Sequence, residues 1–423
     1  MTDYDAIDFF REKTLIEDPY PYFDFLRREC PVRREPHHDV VMVTGYGEAR
    51  AVYNDVETFS SCNSVSGPFP GFPVPLEGDV SELIERHRDE LPMSDQITTM
   101  DPPTHKAHRG LLMRLITPKR LKENEAFMWE LADQQIDEFH TRGEVELVNE
   151  FAGPFTLLVI ADLLGVPKED RLRFREVLQG GSRERRQVGS TNDTMRHSPL
   201  EFLYDEFSAY IERRRSQPRN DVLTGLATAT FPDGTLPEVI DAVRVAANLF
   251  AAGQETTVRL LGSALQLIAE RPDLQELLRS ERDRIPSFVE EVLRFESPVK
   301  GDFRLSRVPA TVGEVDLPAG TTVMVLNGAA NHDPRQFESP TEFRLGRENA
   351  REHLAFGHGN HFCPGAPLAM AEARVAIERL LDRMRDIRIS ETHHGPAGAR
   401  RYEHVPTYIL RGLTRLNLTF EPA

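Results

Sequence analysis

The decapeptide FGHGNHFCPG, residues 356–365, carries one of only three cysteines in the chain. Gly357 and Gly359 permit tight turning with positive φ. Cys363 falls just before a helix that opens with Pro364, Gly365 and Ala366. That position sets a sulfur at the positive end of a helix dipole, among unpaired backbone N–H groups, which favours thiolate over thiol. Such a thiolate is a nucleophile or a metal ligand. Three readings are open: an inert buried cysteine, the commonest fate of a free cysteine; a zinc or iron site using His358, His361 and Cys363, which needs a fourth ligand from elsewhere; or an axial thiolate on a haem iron.

Outward from this loop, the chain has 423 residues, 51 Lys and Arg against 68 Asp and Glu, and a net charge of −17. The acidic balance argues against nucleic acid as a main partner, because phosphate binding needs a basic surface. The first residues, MTDYDAIDFFREK, lack the basic start and apolar run of a signal peptide. The longest apolar stretch, around residues 245–253, is interrupted by Asn248 and falls short of the roughly 18 residues a membrane span requires. Three cysteines are too few for a disulfide framework, so a reducing, cytoplasmic location is expected.

Helical periodicity dominates from about residue 104 to 214, with breaks at Pro118, Gly143, Gly165–Pro167 and Gly180–Gly181. The expected class is mainly α with minor β, and residues 1–423 read as a single domain, since no linker divides them. A β-rich run at 38–44 and short alternating strands at 311–326 supply the sheet. Residues 67–75, GPFPGFPVP, and 180–198 look like surface connections, with a lid over a pocket as the sharper alternative. The most informative helix spans 236–270. Thr235 and Glu238 suggest a capping box, and 35 residues at 1.5 Å each span about 50 Å. Between Val245 and Val258 its only charged residue is Glu255, so it should run through the middle of the molecule.

FGHGNHFCPG resembles the haem-binding loop of the cytochrome P450 family, F-G-x-G-x-H-x-C-x-G. It matches at Phe356, Gly357, Gly359, His361, Cys363 and Gly365. The resemblance implies a cytochrome P450 fold, haem b as cofactor, Cys363 as its iron ligand, and Phe356 and Gly365 around the sulfur. Other segments agree in the family's order over roughly residues 15–420. AGQETT (252–257) looks like the oxygen-activating segment, implying catalytic roles for Glu255 and Thr256. Thr256 can hydrogen-bond back to the preceding turn; the bland reading of Glu255 is an ion pair with Arg259 at i+4. Glu291 and Arg294 match the E-x-x-R pair, a structural tie. DPPTHKAHR (101–109) and GDFRLSR are similar to segments that supply haem-propionate partners, giving His105, Arg109 and Arg304, with His361 as a fourth. The implied substrate pocket is lined by Phe69, Phe72, Leu249, Ala252, Val299, Phe303, Tyr408 and Ile409. Lys300, next to it, is expected to point to solvent.

The resemblance implies a monooxygenase that activates O2 and oxidises a small to medium hydrophobic molecule. Electrons would come from a ferredoxin and its reductase, because no flavin or iron–sulfur segment is visible. A basic cluster of Arg109, Arg114, Lys119, Arg120 and Lys122 is the expected docking face. The protein is expected to be a monomer. The alternatives are a haem-thiolate sensor without turnover, a peroxide-driven peroxygenase, and a zinc hydrolase built on His358, His361 and Cys363.

Overall fold

The computed structural model describes residues 4–180 and 198–423. Its helices of nine residues or longer are α1 (Tyr20–Glu29), α2 (Tyr46–Asn54), α3 (Thr104–Met113), α4 (Pro118–Asp137), α5 (Gly153–Leu163), α6 (Arg171–Gly180), α7 (Ser198–Ser216), α8 (Val239–Glu270), α9 (Pro272–Ser280), α10 (Ile285–Phe295) and α11 (Ala366–Arg383). The strands are β1 (Val32–Arg34), β2 (Val41–Val43), β3 (Phe59–Ser60), β4 (Glu144–Glu146), β5 (Asp302–Ser306), β6 (Ala310–Val312), β7 (Val315–Leu317), β8 (Thr322–Val325), β9 (Met384–Ile389) and β10 (Asn417–Pro422). The expected class, mainly α with minor β, is the observed one. The 180–198 connection lies almost wholly outside the described residues.

Local chemistry sets the boundaries. Thr117 accepts from the Arg120 N–H at the start of α4, and Pro118 occupies the first turn, where its missing N–H costs nothing. Helix α8 starts later than the sequence suggested. Its capping box is Glu238 with Asp241, while Thr235 is drawn away by a bond to Asp233. An acid two residues earlier competed successfully for the threonine, and α8 runs for 32 residues.

Helix α8 is the axis of the core. Its apolar residues from Ala242 to Phe250 and from Val258 to Leu265 join one large cluster with α4, α5, α10 and α11. Gly253 makes close packing possible, because a Cβ there would stand 2.8 Å from Ile160 Cδ1 of α5. A five-stranded sheet, ordered β1-β2-β8-β5-β3, forms a second layer. Strand β2 pairs in parallel with β8 and antiparallel with β1, so its VMV run is buried on both faces. Helix α2 covers one side of this sheet through Ala49, Val52 and Tyr53. The three-stranded sheet β4-β10-β9 brings the C-terminus beside Gly143.

One buried ionic knot ties α10 to the long approach to the cysteine loop. Glu291 and Arg294 are both fully buried and bonded twice, at 2.8 and 2.9 Å. Arg347 joins Glu291 at 3.1 Å, a partner that sequence reading missed. Arg294 also donates to the carbonyls of Asn331, Pro340 and Glu342, and Glu291 accepts the Arg344 N–H. Two guanidiniums share one carboxylate, and the spare N–H groups are spent on irregular backbone. Removing the anion strands both cations in a dry site. Glu291→Gln should therefore cost about 3–5 kcal/mol, read as a fall in the denaturant midpoint. Arg344→Ala, which removes only an exposed side chain, should leave that midpoint unchanged.

Candidate functional site

The cysteine loop is held from two sides. Gly359 takes positive φ, and a Cβ there would lie 2.7 Å from the Tyr53 carbonyl oxygen, so the turn can seat on α2 only as glycine. On the other side, Arg109 of α3 donates to the Phe362 carbonyl at 2.5 Å. The Cys363 N–H donates back to the Phe356 carbonyl at 2.8 Å, which closes the loop on itself. The sulfur thus sits at the entry to α11, where the Gly365 and Ala366 N–H groups and Arg109 favour its negative form. Burial nevertheless outweighs them and pushes the thiol above its ordinary range. The expectation of a ready thiolate is corrected here: the helix terminus alone does not ionise this sulfur.

Around the loop the structure gathers the four basic residues named from sequence. The His105 and His361 rings pack against each other with centroids 3.9 Å apart, tilted by 33°. His361 Nε2 lies 3.1 Å from Ser61 Oγ. Burial, then the nearby Arg109, push His105 down to about 4. Burial, then His105, Arg304 and Arg109, push His361 down to about 2. Both imidazoles are therefore neutral near pH 7, and the charge of the cluster rests on the two arginines. Arg304 is buried, stacked 5.1 Å from the Tyr53 ring and 3.3 Å from Asp302. His105 Nε2 is buried without a partner, a donor awaiting an acceptor.

His358 and His361 do not converge with Cys363. The His358 Nε2 faces Arg50 at 3.4 Å and that of His361 faces Ser61. Among the described residues, no three His, Cys, Asp or Glu side chains group as a metal site would require. The zinc reading falls on that geometry.

On α8, the buried run is interrupted at one place. Ala251 and Ala252 are exposed and residues 253–256 half-buried, between flanks that are buried. Thr256 donates from Oγ1 to the Ala252 carbonyl at 3.0 Å, as its position suggested. Glu255 does form the i+4 ion pair, at 2.8 Å from Arg259, which also donates to the Leu413 carbonyl. Facing this turn from α11 is Glu372, which sequence reading missed. Burial pushes its carboxyl up to about 8, against a hydrogen bond with Thr257. No local pattern marks it; only tertiary packing makes it unusual.

The presumed pocket residues divide. Ala252 is exposed, and Val299, Phe69, Phe72, Tyr408 and Ile409 are half-buried. Leu249 belongs to the main core. Phe303 is a correction: it is fully buried among Phe10, Met324 and Tyr408, so it is core and lines nothing. Gly67 lies against its ring. Lys300 is a second correction. Only 3% exposed, it donates to the Thr407 carbonyl at 2.8 Å, and burial with Arg411 nearby pushes its ammonium down to about 7. Its backbone N–H bonds to the Ile409 carbonyl, so strand pairing turned the side chain inward.

No described helix is long and apolar enough to cross a membrane. Residues 200–391 match the family model described as Cytochrome P450. Cytochrome P450 144 of Mycobacterium tuberculosis is 32% identical over 99% of this chain and 92% of its own. The vitamin D(3) 25-hydroxylase of Pseudonocardia autotrophica is 31% identical over 97% and 95%. Among solved structures, the substrate-free Mycobacterium marinum cytochrome P450 CYP150A6 superposes with a TM-score of 0.94, 57% identity and complete coverage of both chains. With likeness running end to end in sequence and in fold, this chain belongs to the cytochrome P450 family.

Proposed function

We propose that Cys363 holds the iron of haem b, that Arg109, Arg304, His105 and His361 hold its carboxylates, and that Glu255 and Thr256 serve a monooxygenase reaction on a small to medium hydrophobic molecule. The observation that carries this is the meeting of a half-buried sulfur at a helix N-terminus with two cations and two imidazoles. The set fits the group. Arginine supplies charge, neutral imidazole supplies an N–H, and the orphaned Nε2 of His105 supplies a donor that no protein acceptor uses. A sulfur that burial keeps protonated ionises when a metal cation meets it.

Bound haem supplies the activation of O2, one atom going to substrate and the other to water at the expense of two electrons and two protons. The chain supplies the protons and the geometry. Thr256, bonded to the Ala252 carbonyl, holds a hydroxyl on the exposed turn of α8. Glu255 is 28% exposed and so reaches solvent; exchanging Arg259 for water lets it carry protons inward. Hydroxylase activity is named for relatives of this chain, including the vitamin D(3) 25-hydroxylase, and supports turnover over a sensor role.

Electrons arrive from separate redox proteins, for which a ferredoxin with its reductase is the proposed source and a monomeric enzyme the acceptor. Phe362, beside the sulfur, is 43% exposed, and Met113, one turn beyond Arg109 on α3, is 45% exposed. Arg114, Lys119 and Lys122 are exposed nearby on α3 and α4. Apolar contact flanked by cations suits an acidic partner. Arg120 leaves the expected cluster, because it is half-buried with its Nη1 sealed from water.

Cys363→Ser should abolish the thiolate band of the reduced CO complex, and a band left in place would exclude Cys363 as ligand. Thr256→Ala should retain haem and substrate binding while product per NADH consumed falls about tenfold or more; unchanged coupling would contradict its role. The pair Lys119→Glu and Lys122→Glu should slow reduction by an acidic ferredoxin at low salt, with the difference fading as salt rises. Equal rates at low salt would move the docking face elsewhere.

A further inference from the structure

Asn248 interrupts the apolar run of α8, and the structure shows what it is for. Four side chains from three elements form one chain of hydrogen bonds. Tyr204 of α7 donates from its hydroxyl to Asp95 Oδ2 at 2.6 Å. Gln96 donates from Nε2 to Asp95 Oδ1 at 3.2 Å and to the Tyr204 hydroxyl at 3.1 Å. Asn248 donates from Nδ2 to Gln96 Oε1. Gln96 and Asn248 are both more than nine-tenths buried.

The direction of every bond is forced. An ionised carboxylate only accepts, so Asp95 requires the Gln96 amide to turn its NH2 toward it. The Gln96 carbonyl then faces Asn248 and takes that side chain's NH2. What remains is one N–H of the Asn248 amide and its carbonyl oxygen. The oxygen accepts no hydrogen bond from any described residue, and it is not among the sealed, unpartnered atoms. An amide in solution could turn either end to a ligand; this one is held with its nitrogen on Gln96, which leaves its oxygen on the other side. Arg244 of the same helix lies 3.9 Å from Asp95.

Position gives the acceptor a meaning. Asn248, Ala252 and Thr256 recur every four residues and so share a face of α8. That face is the one exposed at Ala252. Along the axis, Asn248 stands about 12 Å from Thr256, eight residues at 1.5 Å each.

We propose that Asn248 Oδ1 is a specificity-determining acceptor for a hydroxyl group on a rigid, polycyclic, apolar substrate whose oxidised carbon lies about two helical turns from that hydroxyl. The proposal rests on the monooxygenase reading above and refines its substrate class. A ketone at the same point would set carbonyl against carbonyl, leave the acceptor unmatched and bind worse.

The test uses the holoenzyme and a matched pair, androstan-3-ol and androstan-3-one, titrated by the Soret shift. The alcohol should bind about tenfold tighter than the ketone. Asn248→Leu should erase the preference. Gln96→Leu, which frees the Asn248 amide to flip, should weaken it while both ligands still bind. Equal affinities in the parent protein, binding of neither ligand, or a preference that survives Asn248→Leu would each overturn the assignment. Failure of the underlying reading looks different: the reduced CO complex of the parent protein would then lack its thiolate band.

Discussion

A sulfur that burial keeps protonated is the constraint on which this molecule turns. The entrance to α11 offers Cys363 two backbone N–H groups and the field of Arg109, and these are not enough to ionise it. The site is therefore poised for a cation and poorly suited to acting alone. The surrounding architecture serves that poise. Gly359 lets the loop seat on α2, and Arg109 clamps the Phe362 carbonyl from α3. The knot of Glu291, Arg294 and Arg347 fixes the irregular approach that delivers the loop. None of these contacts touches the sulfur's reactive side, yet each sets where it stands.

The basic cluster obeys the same logic. Four cations packed together would repel strongly, and the structure avoids that by leaving two imidazoles neutral. Their packing at 3.9 Å is tolerable only without charge on both rings. Arg109 and Arg304 then carry the charge, and His105 Nε2 is the unpartnered imidazole nitrogen. A pair of carboxylates can be neutralised by two charges, which suits a partly buried anion better than four charges would.

Much of this was legible in the sequence, for identifiable reasons. The cysteine loop, α8, α10 and α11 carry their signals locally, in glycine, proline and apolar spacing. Thr256 back-bonding to Ala252 follows from helix geometry alone. Several readings went astray, one to a neighbour in the chain and the others to burial or a distant element. Asp233 took Thr235 from the cap. The pairing of Lys300 with Ile409 sent an ammonium into the interior. Strand β5 packed Phe303 against Phe10 and away from any opening. Burial overrode the helix dipole at Cys363. Arg347 and Glu372 were missed because nothing beside them in the chain announces a buried partner 56 or more residues away, as with Arg347 and Glu291.

Glu255 shows why rival readings of one residue need not exclude each other. The ion pair with Arg259 is present, and Arg259 stays bonded to Leu413 whether or not the carboxylate is in place. Its guanidinium is nearly buried while the carboxylate keeps a path to solvent. An ion pair with one wet partner is worth little net, since water replaces what the arginine gives. The carboxylate can therefore leave and return without unfolding anything. Arg259 provides its resting place, and the exposed turn at Ala251 and Ala252 provides its destination. Glu291 is tied down by two buried cations, whereas Glu255 keeps an edge in water. That difference separates a structural tie from the proton carrier proposed for Glu255.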